Sequence, residues 1–183
     1  MSIALKELAP YTARDGSIVA PGCYGVSHGV GIVGELVRHA TQSWAGHCFV
    51  HIGHGLIVEG HTLVARVVSA DAHPDAVWNI REHLTDDQRL AIVAKAQALV
   101  GTPYDVTSYI GFALEIMKLR TETQLDAVFK SDSWRVCSAL VAECYEYAGI
   151  SIDVEATAVN LISPDDLYRR ILAQAQKDPP TSR

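Results

Sequence analysis

Missing from this chain is any block of lysines and arginines: its 15 basic residues are scattered among 21 acidic ones, and the net charge is −6 with histidine neutral. Nucleic-acid binding relies on clustered basic side chains interleaved with aromatics, so that class is excluded as an expectation. Long apolar runs are also absent. Residues 17–34 carry no charge, yet they include Pro21, Ser27, His28 and several glycines, too polar and too broken to cross lipid. No transmembrane segment is expected. The first eleven residues contain Lys6 and Glu7 and no apolar h-region, so no secretory signal is visible. Cytoplasmic synthesis is the simplest expectation, with later release or delivery to the cell wall as the open alternative.

Cysteine is scarce too. Cys23, Cys48, Cys137 and Cys144 match no zinc-knuckle spacing, and a cytosolic domain of 183 residues does not need disulfide staples, so four free thiols are expected. What is present in quantity is apolar surface: 49% of residues, enough for one core of ordinary size. No repeat or linker divides the chain. One domain over 1–183 is expected, with 177–183, which contains Pro179 and Pro180, as a frayed tail.

The first half reads as β-structure. Asp15-Gly16 is a turn signal before a short apolar strand, residues 17–20, stopped by Pro21-Gly22. Residues 31–41 place Ile32, Val33, Leu36 and Val37 on one helical stripe. Residues 47–52 and 56–59 form two strands joined through Gly53-His54-Gly55, a hairpin connection, and residues 63–68 and 76–80 continue the sheet. The second half turns helical. Thr85 and Gln88 form a capping box for a helix that Gly101 stops. Further helices are expected over 107–119, over about 134–148 with Gly149 as the stop, and over 164–176 with Pro164 in the first turn. The class is α+β, an antiparallel sheet or partial barrel packed against several helices.

Cys137 opens the predicted helix near 134–148, where free backbone N–H groups and the helix dipole favour an anion. An arbitrary cysteine is more often a small core residue, and Cys144, Cys23 and Cys48 read that way, because none of them has a helix N-terminus to activate it. A thiol nucleophile needs a base. Strand alternation puts His47, Phe49 and His51 on one face and Cys48, Val50 and Ile52 on the other. If the hairpin closes at 53–55, Ile57, Glu59 and His61 share the face of His47. Glu59 is then the group expected to orient the His47 imidazole, with His61 as the alternative. His51 and His54 read as sheet or surface histidines.

The order of these segments resembles the NlpC-type cysteine peptidases of the papain-like superfamily, in the circularly permuted branch related in order to lecithin:retinol acyltransferase. Gly16-Ser17-Ile18-Val19, a glycine-rich stretch, and Ser43-Trp44-Ala45-Gly46-His47-Cys48-Phe49-Val50-His51 resemble that branch's N-terminal block, and Ile57-Val58-Glu59-Gly60 its following strand. Gly101-Thr102-Pro103-Tyr104-Asp105, Cys137-Ser138-Ala139-Leu140-Val141 and Ser163-Pro164-Asp165-Asp166-Leu167 resemble its later blocks. The likeness runs from about Gly16 to Tyr168. It implies a permuted papain-like fold and a thiol hydrolase whose substrate is a peptide, another amide or an acyl lipid, with cell-wall peptide first. It also offers Tyr104 as an oxyanion or substrate contact. Arg135 and Val136 stand where the unpermuted enzymes have a glycine-rich turn and an aspartate.

Two other readings compete. Gly29, Gly31 and Gly34 have the spacing of a dinucleotide loop, but the strand before them does not run into the first glycine, and antiparallel-looking strands follow. His47, His51, His54, Glu59 and His61 are a dense donor set for a metal, yet no His-Glu-x-x-His helix occurs, and Phe49 stands between His47 and His51. No cofactor and no metal are therefore expected. Oligomeric state is not legible in the sequence.

Overall fold

The computed structural model describes residues 7–29, 35, 38, 42–60, 64–102, 137–152 and 162–177. Among them the chain is α+β. Two short strands, β1 (Tyr11–Thr12) and β2 (Ile18–Val19), pair antiparallel across a turn in which Asp15 Oδ1 accepts from the Ser17 N–H (2.9 Å) and hydroxyl (2.7 Å). The main sheet comprises β3 (Tyr24–Ser27), β4 (His47–Gly53), β5 (Leu56–Gly60), β6 (Ala65–Ser69) and β7 (Val77–Trp78). Its order is β6-β5-β4-β3-β7, and every pairing is antiparallel. A parallel crossover unit, which a dinucleotide loop would require, is not found among the described residues.

The β4–β5 connection is as short as the sequence implies. His54 (φ 56°) and Gly55 (φ 69°) both sit in the left-handed region, the conformation that lets a two-residue turn follow the twist of its strands. The sheet is open, with β6 and β7 as its edges, so the partial-barrel alternative is corrected. Three strands separate β6 from β7, and no pairing joins these two edges among the described residues. The segment read as 63–68 is described as β6 at Ala65–Ser69, one residue past the expected end, and 76–80 shortens to β7, after which the Asn79 side chain accepts from the Tyr24 N–H at 2.7 Å.

Three helices are described: α1 (Asp86–Leu99), α2 (Cys137–Tyr147) and α3 (Pro164–Lys177). Both bonds of the Thr85–Gln88 capping box form, at 3.2 and 2.9 Å. After α2 the chain turns at Gly149 (φ 72°), whose N–H bonds the Glu146 carbonyl. Of the helix expected over 31–41, Glu35 and Arg38 are described, both helical; the helix expected over 107–119 lies outside the described residues, as do the residues before Cys137 and most of the tail from 177. No helix among the described residues is long and apolar enough to cross a membrane.

The two sheet faces bury different things. Tyr24, Val26, Cys48, Val50, Ile52 and Val58 face the helices and pack on Ile92, Val93, Cys137, Leu140, Val141 and Leu167. Phe49, Ile57 and Trp78 face the other way, with Val19 and Cys23 of the small hairpin region. Across that second face the register aligns Trp78, Gly25, Phe49, Glu59 and Arg66 in one row. A Cβ at Gly25 would come within 2.5 Å of the Phe49 ring and 2.9 Å of Trp78, so this row needs a glycine to keep its aromatic packing. Below, Tyr145 ties α2 to the strands: its hydroxyl donates to the Gly22 carbonyl (2.9 Å) and accepts from Asn79 (2.7 Å).

Candidate active site

His47 is the first residue of β4, and Glu59 lies on β5 directly opposite Phe49. Period-two alternation therefore puts both side chains on the second face of the sheet, one strand apart. The His47 Nε2–H donates to Glu59 Oε2 at 2.9 Å. Glu59 is almost wholly buried, with 3% of its side chain exposed, and three donors hold it. Besides His47, the His73 Nε2–H reaches Oε2 at 2.8 Å, and Arg66, opposite Glu59 on β6, gives Oε1 its Nε at 2.8 Å and Nη2 at 2.7 Å. Burial alone would raise the Glu59 carboxyl's pKa, but hydrogen bonds from His47, His73 and Arg66 overcome it and hold the group below the usual carboxylate range.

A carboxylate only accepts, so both imidazoles must carry their proton on Nε2. For His47 this leaves Nδ1 to face the remaining partner. That partner is Cys137, on the first turn of α2 as described, whose sulfur accepts hydrogen bonds from His47, from the Cys48 thiol and from the Cys48 backbone N–H. The bond from the Cys48 thiol does most to hold the Cys137 thiol well below the ordinary range; burial opposes it, and the bond and charge of His47 add to it. Burial lowers His47, yet its bonds to Cys137 and Glu59 raise it to about 9. Both shifts run in the direction that favours a thiolate beside an imidazolium.

The other thiols differ. Burial raises Cys23, pushes Cys144 to about 12 and raises Cys48 well above its ordinary value, where the Cys137 contact adds to the effect. All four are free. Cys48 is a core residue, as its place on the apolar face implies, but it also touches the Cys137 sulfur, which the alternation pattern did not reveal.

The loop entering β4 is built around a close approach. Gly29 has φ 73°, and a Cβ there would lie 3.1 Å from the Gly46 carbonyl carbon and 3.3 Å from His47 Cβ. Arg38 fastens the same loop by donating to the carbonyls of His28 (2.7 Å) and Gly29 (3.0 Å). Gly29→Ala combines an unfavourable left-handed alanine with pressure on His47. A stability loss of about 1–3 kcal/mol is expected, read as a lower thermal midpoint, together with slower alkylation of Cys137.

Of the residues singled out in the sequence, the structure brings His47, Glu59 and Cys137 together. His61 and Tyr104 lie outside the described residues. His51 is buried in the sheet, its ring bonded to the Ala20 carbonyl at 3.1 Å, and His54 occupies the hairpin turn, bonded to the Glu7 carbonyl at 2.9 Å; neither joins the site. Three functional-looking residues were missed: Arg66, His73 and Ser27. Arg66 could have been found by carrying the strand parity one strand further. His73 follows a 3-10 turn with no motif around it and gave no signal.

His47, Glu59 and His73 could in principle offer three donor atoms to a metal, all within 4.8 Å of one another. This set differs from the one the sequence suggested, since His51 and His54 are elsewhere. Each of its atoms is already engaged in a hydrogen bond, and the Arg66 guanidinium 2.7 Å from the carboxylate opposes a dication. The donor chemistry fits a charge-balanced hydrogen-bond network better than a metal centre. No family model and no curated protein matches the chain.

Proposed function

We propose that this protein is a cysteine hydrolase that cleaves an amide through an acyl-enzyme, with Cys137 as nucleophile, His47 as general base and acid, and Glu59 as the group that orients His47. The observation carrying this reading is the unbroken chain from the Cys137 sulfur through His47 to the buried Glu59 carboxylate, 2.9 Å from Nε2. Chemistry of this kind needs a thiolate, a proton carrier in contact with it and a third group fixing the carrier's tautomer, and the site supplies all three.

The Cys137 thiolate attacks the carbonyl carbon, forming a C–S bond while the carbonyl π electrons move to oxygen. The Cys137 backbone N–H, on the first described turn of α2, is the donor assigned here to the oxyanion. Collapse breaks the C–N bond as the His47 imidazolium gives its Nδ1 proton to the departing amine. Water then attacks the thioester, His47 Nδ1 takes its proton, and the C–S bond breaks to release the acid and restore the thiolate. Glu59 remains ionised throughout and keeps Nε2–H pointed away from the sulfur.

The resemblance to the permuted NlpC-type branch favours a permuted papain-like fold and directs attention first to cell-wall peptide. Acyl transfer, or hydrolysis of a lipid amide or ester, uses the same intermediate with another acceptor or donor. The test is to incubate the protein with muropeptides, isopeptides and acyl-lipid amides, quench in acid and measure intact mass. A thioester adduct on Cys137 with one class identifies the donor. Turnover of a substrate without any adduct, and undiminished in Cys137→Ala, rules the reading out.

A further inference from the structure

His73 lies outside the strands that carry His47 and Glu59 and holds no place in the Cys137–His47–Glu59 chain, yet its ring is held from several sides. The preceding 3-10 turn, Ala70–Ala72, is capped by Ser69, whose hydroxyl oxygen accepts from the Asp71 N–H. The Tyr11 hydroxyl donates to Asp71 at 2.8 Å, and the Ala70 N–H donates to the Gly55 carbonyl at 2.8 Å. At its end the His73 ring lies on Phe49 (centroids 4.5 Å, planes 27° apart) and 5.2 Å from the His47 ring. One nitrogen meets Glu59 Oε2 at 2.8 Å, and Nδ1 accepts from Ser27 Oγ at 3.2 Å. Only 10% of the side chain is exposed.

We infer that His73 is a positioning residue, a second imidazole that locks the Glu59 carboxylate in the orientation from which it directs His47 at Cys137. Glu59 Oε2 accepts from two imidazoles that approach from different elements, β4 and the loop before β7, while Arg66 fixes Oε1. Arg66 is a long side chain with 47% exposure and cannot by itself define the carboxylate plane as firmly as a ring stacked on Phe49. Without His73, Oε2 keeps a single donor, the carboxylate gains freedom to turn towards Arg66, and the His47 imidazole loses its fixed tautomer and direction. Ser27, opposite His47 on β3, holds the far side of the His73 ring, so the network begins and ends on neighbouring strands. The effect on catalysis rests on the hydrolase reading; the effect on Glu59 and His47 does not.

The test uses the whole chain with His73→Gln, His73→Asn and His73→Ala. Glutamine presents an amide N–H at the reach of Nε2, towards Glu59; asparagine places its amide at the reach of Nδ1, where its oxygen accepts from the Ser27 hydroxyl. Two quantities are measured: the iodoacetamide rate at Cys137 against pH, and the downfield imidazole N–H proton of His47 by NMR. His73→Ala and His73→Asn are expected to slow alkylation at neutral pH by on the order of tenfold, to move the acidic limb of the profile upward, and to broaden the His47 N–H signal through exchange with water. His73→Gln should restore both. Equal behaviour of glutamine and asparagine, or a His73→Ala profile and N–H signal like wild type, overturns the inference. If wild-type Cys137 is no more reactive than an ordinary thiol, the hydrolase reading falls, and the N–H signal still decides the role of His73. Thermal midpoints identify any variant that fails to fold; His73→Asn, which keeps the Ser27 side satisfied, then stands in for His73→Ala.

Discussion

Cys137→Ala is expected to lower turnover of the true substrate by at least about 10³-fold, to whatever rate substrate binding and oxyanion stabilisation sustain without a nucleophile. The fold should survive. Cys137 has 7% of its surface exposed and packs at the margin of the main core, so removing the sulfur forms a small void beside Cys48 and not a deep cavity. It also removes the sulfur that His47 bonds. In the variant His47 should titrate lower than in wild type, since two of the influences that raise it, the bond and the charge of Cys137, are gone. NMR titration of the imidazole checks this, and an unchanged His47 midpoint would show that Glu59 alone sets it.

Glu59 carries the second large effect, and on two scales. Glu59→Ala leaves three donors, two imidazoles and a guanidinium, facing a buried hole. Removing one partner of a buried ionic network costs about 3–5 kcal/mol, which for a chain of this length is a fall in thermal midpoint of roughly 6–20 °C. Glu59→Gln keeps the volume but offers one acceptor oxygen where two are used and turns an N–H towards a donor, so activity should fall by roughly 10²- to 10⁴-fold through loss of the His47 tautomer. Comparing the two by thermal melt and kcat separates structural from catalytic loss. Glu59→Gln should be the more stable and still nearly inactive.

The same group sets a pH dependence with a definite sign. Its carboxyl is lowered on folding, so its contribution to stability is present above about pH 4, the unfolded value, and is lost as pH falls below it. His47, raised on folding to about 9, works in reverse: its contribution is complete below about pH 6.5 and is lost as pH rises through about 9. Chemical denaturation across pH should therefore show greatest stability between these limits. Glu59→Gln should flatten the acid side.

Much of this was legible because strand parity is a strong constraint. Once Gly53-His54-Gly55 is read as a tight connection, a register follows, and the pairing of Phe49 with Glu59 puts Glu59 on the face of His47. The Thr85–Gln88 box and Pro164 similarly fixed where α1 and α3 begin, because local hydrogen-bonding chemistry is encoded locally. Strand β3 was not legible: Tyr24-Gly25-Val26-Ser27 is four residues with a glycine inside, and its strand state comes from pairing on both edges and from the room Gly25 leaves for Phe49 and Trp78.

Nor was the wider site legible. Ser27 depends on β3, His73 depends on a turn pinned by Tyr11 and Gly55, and the Cys48–Cys137 contact depends on how α2 lies across β4. Each is a tertiary fact without a sequence period. Sequence alternation assigned His47 and Cys48 to opposite faces, and correctly so, but at the end of a strand a helix passing over the edge can touch both.

The most direct measurement is the rate of iodoacetamide alkylation at each of the four cysteines, mapped by mass spectrometry across about pH 5–10, with and without a chelator. The expected result is one fast site, Cys137, with a rate nearly level across neutrality and indifferent to chelator, while Cys23, Cys48 and Cys144 stay slow until the protein unfolds. A Cys137 rate that climbs with pH like that of an ordinary thiol, or that is matched by the other three, would contradict the thiolate–imidazolium pair from which the proposed chemistry starts.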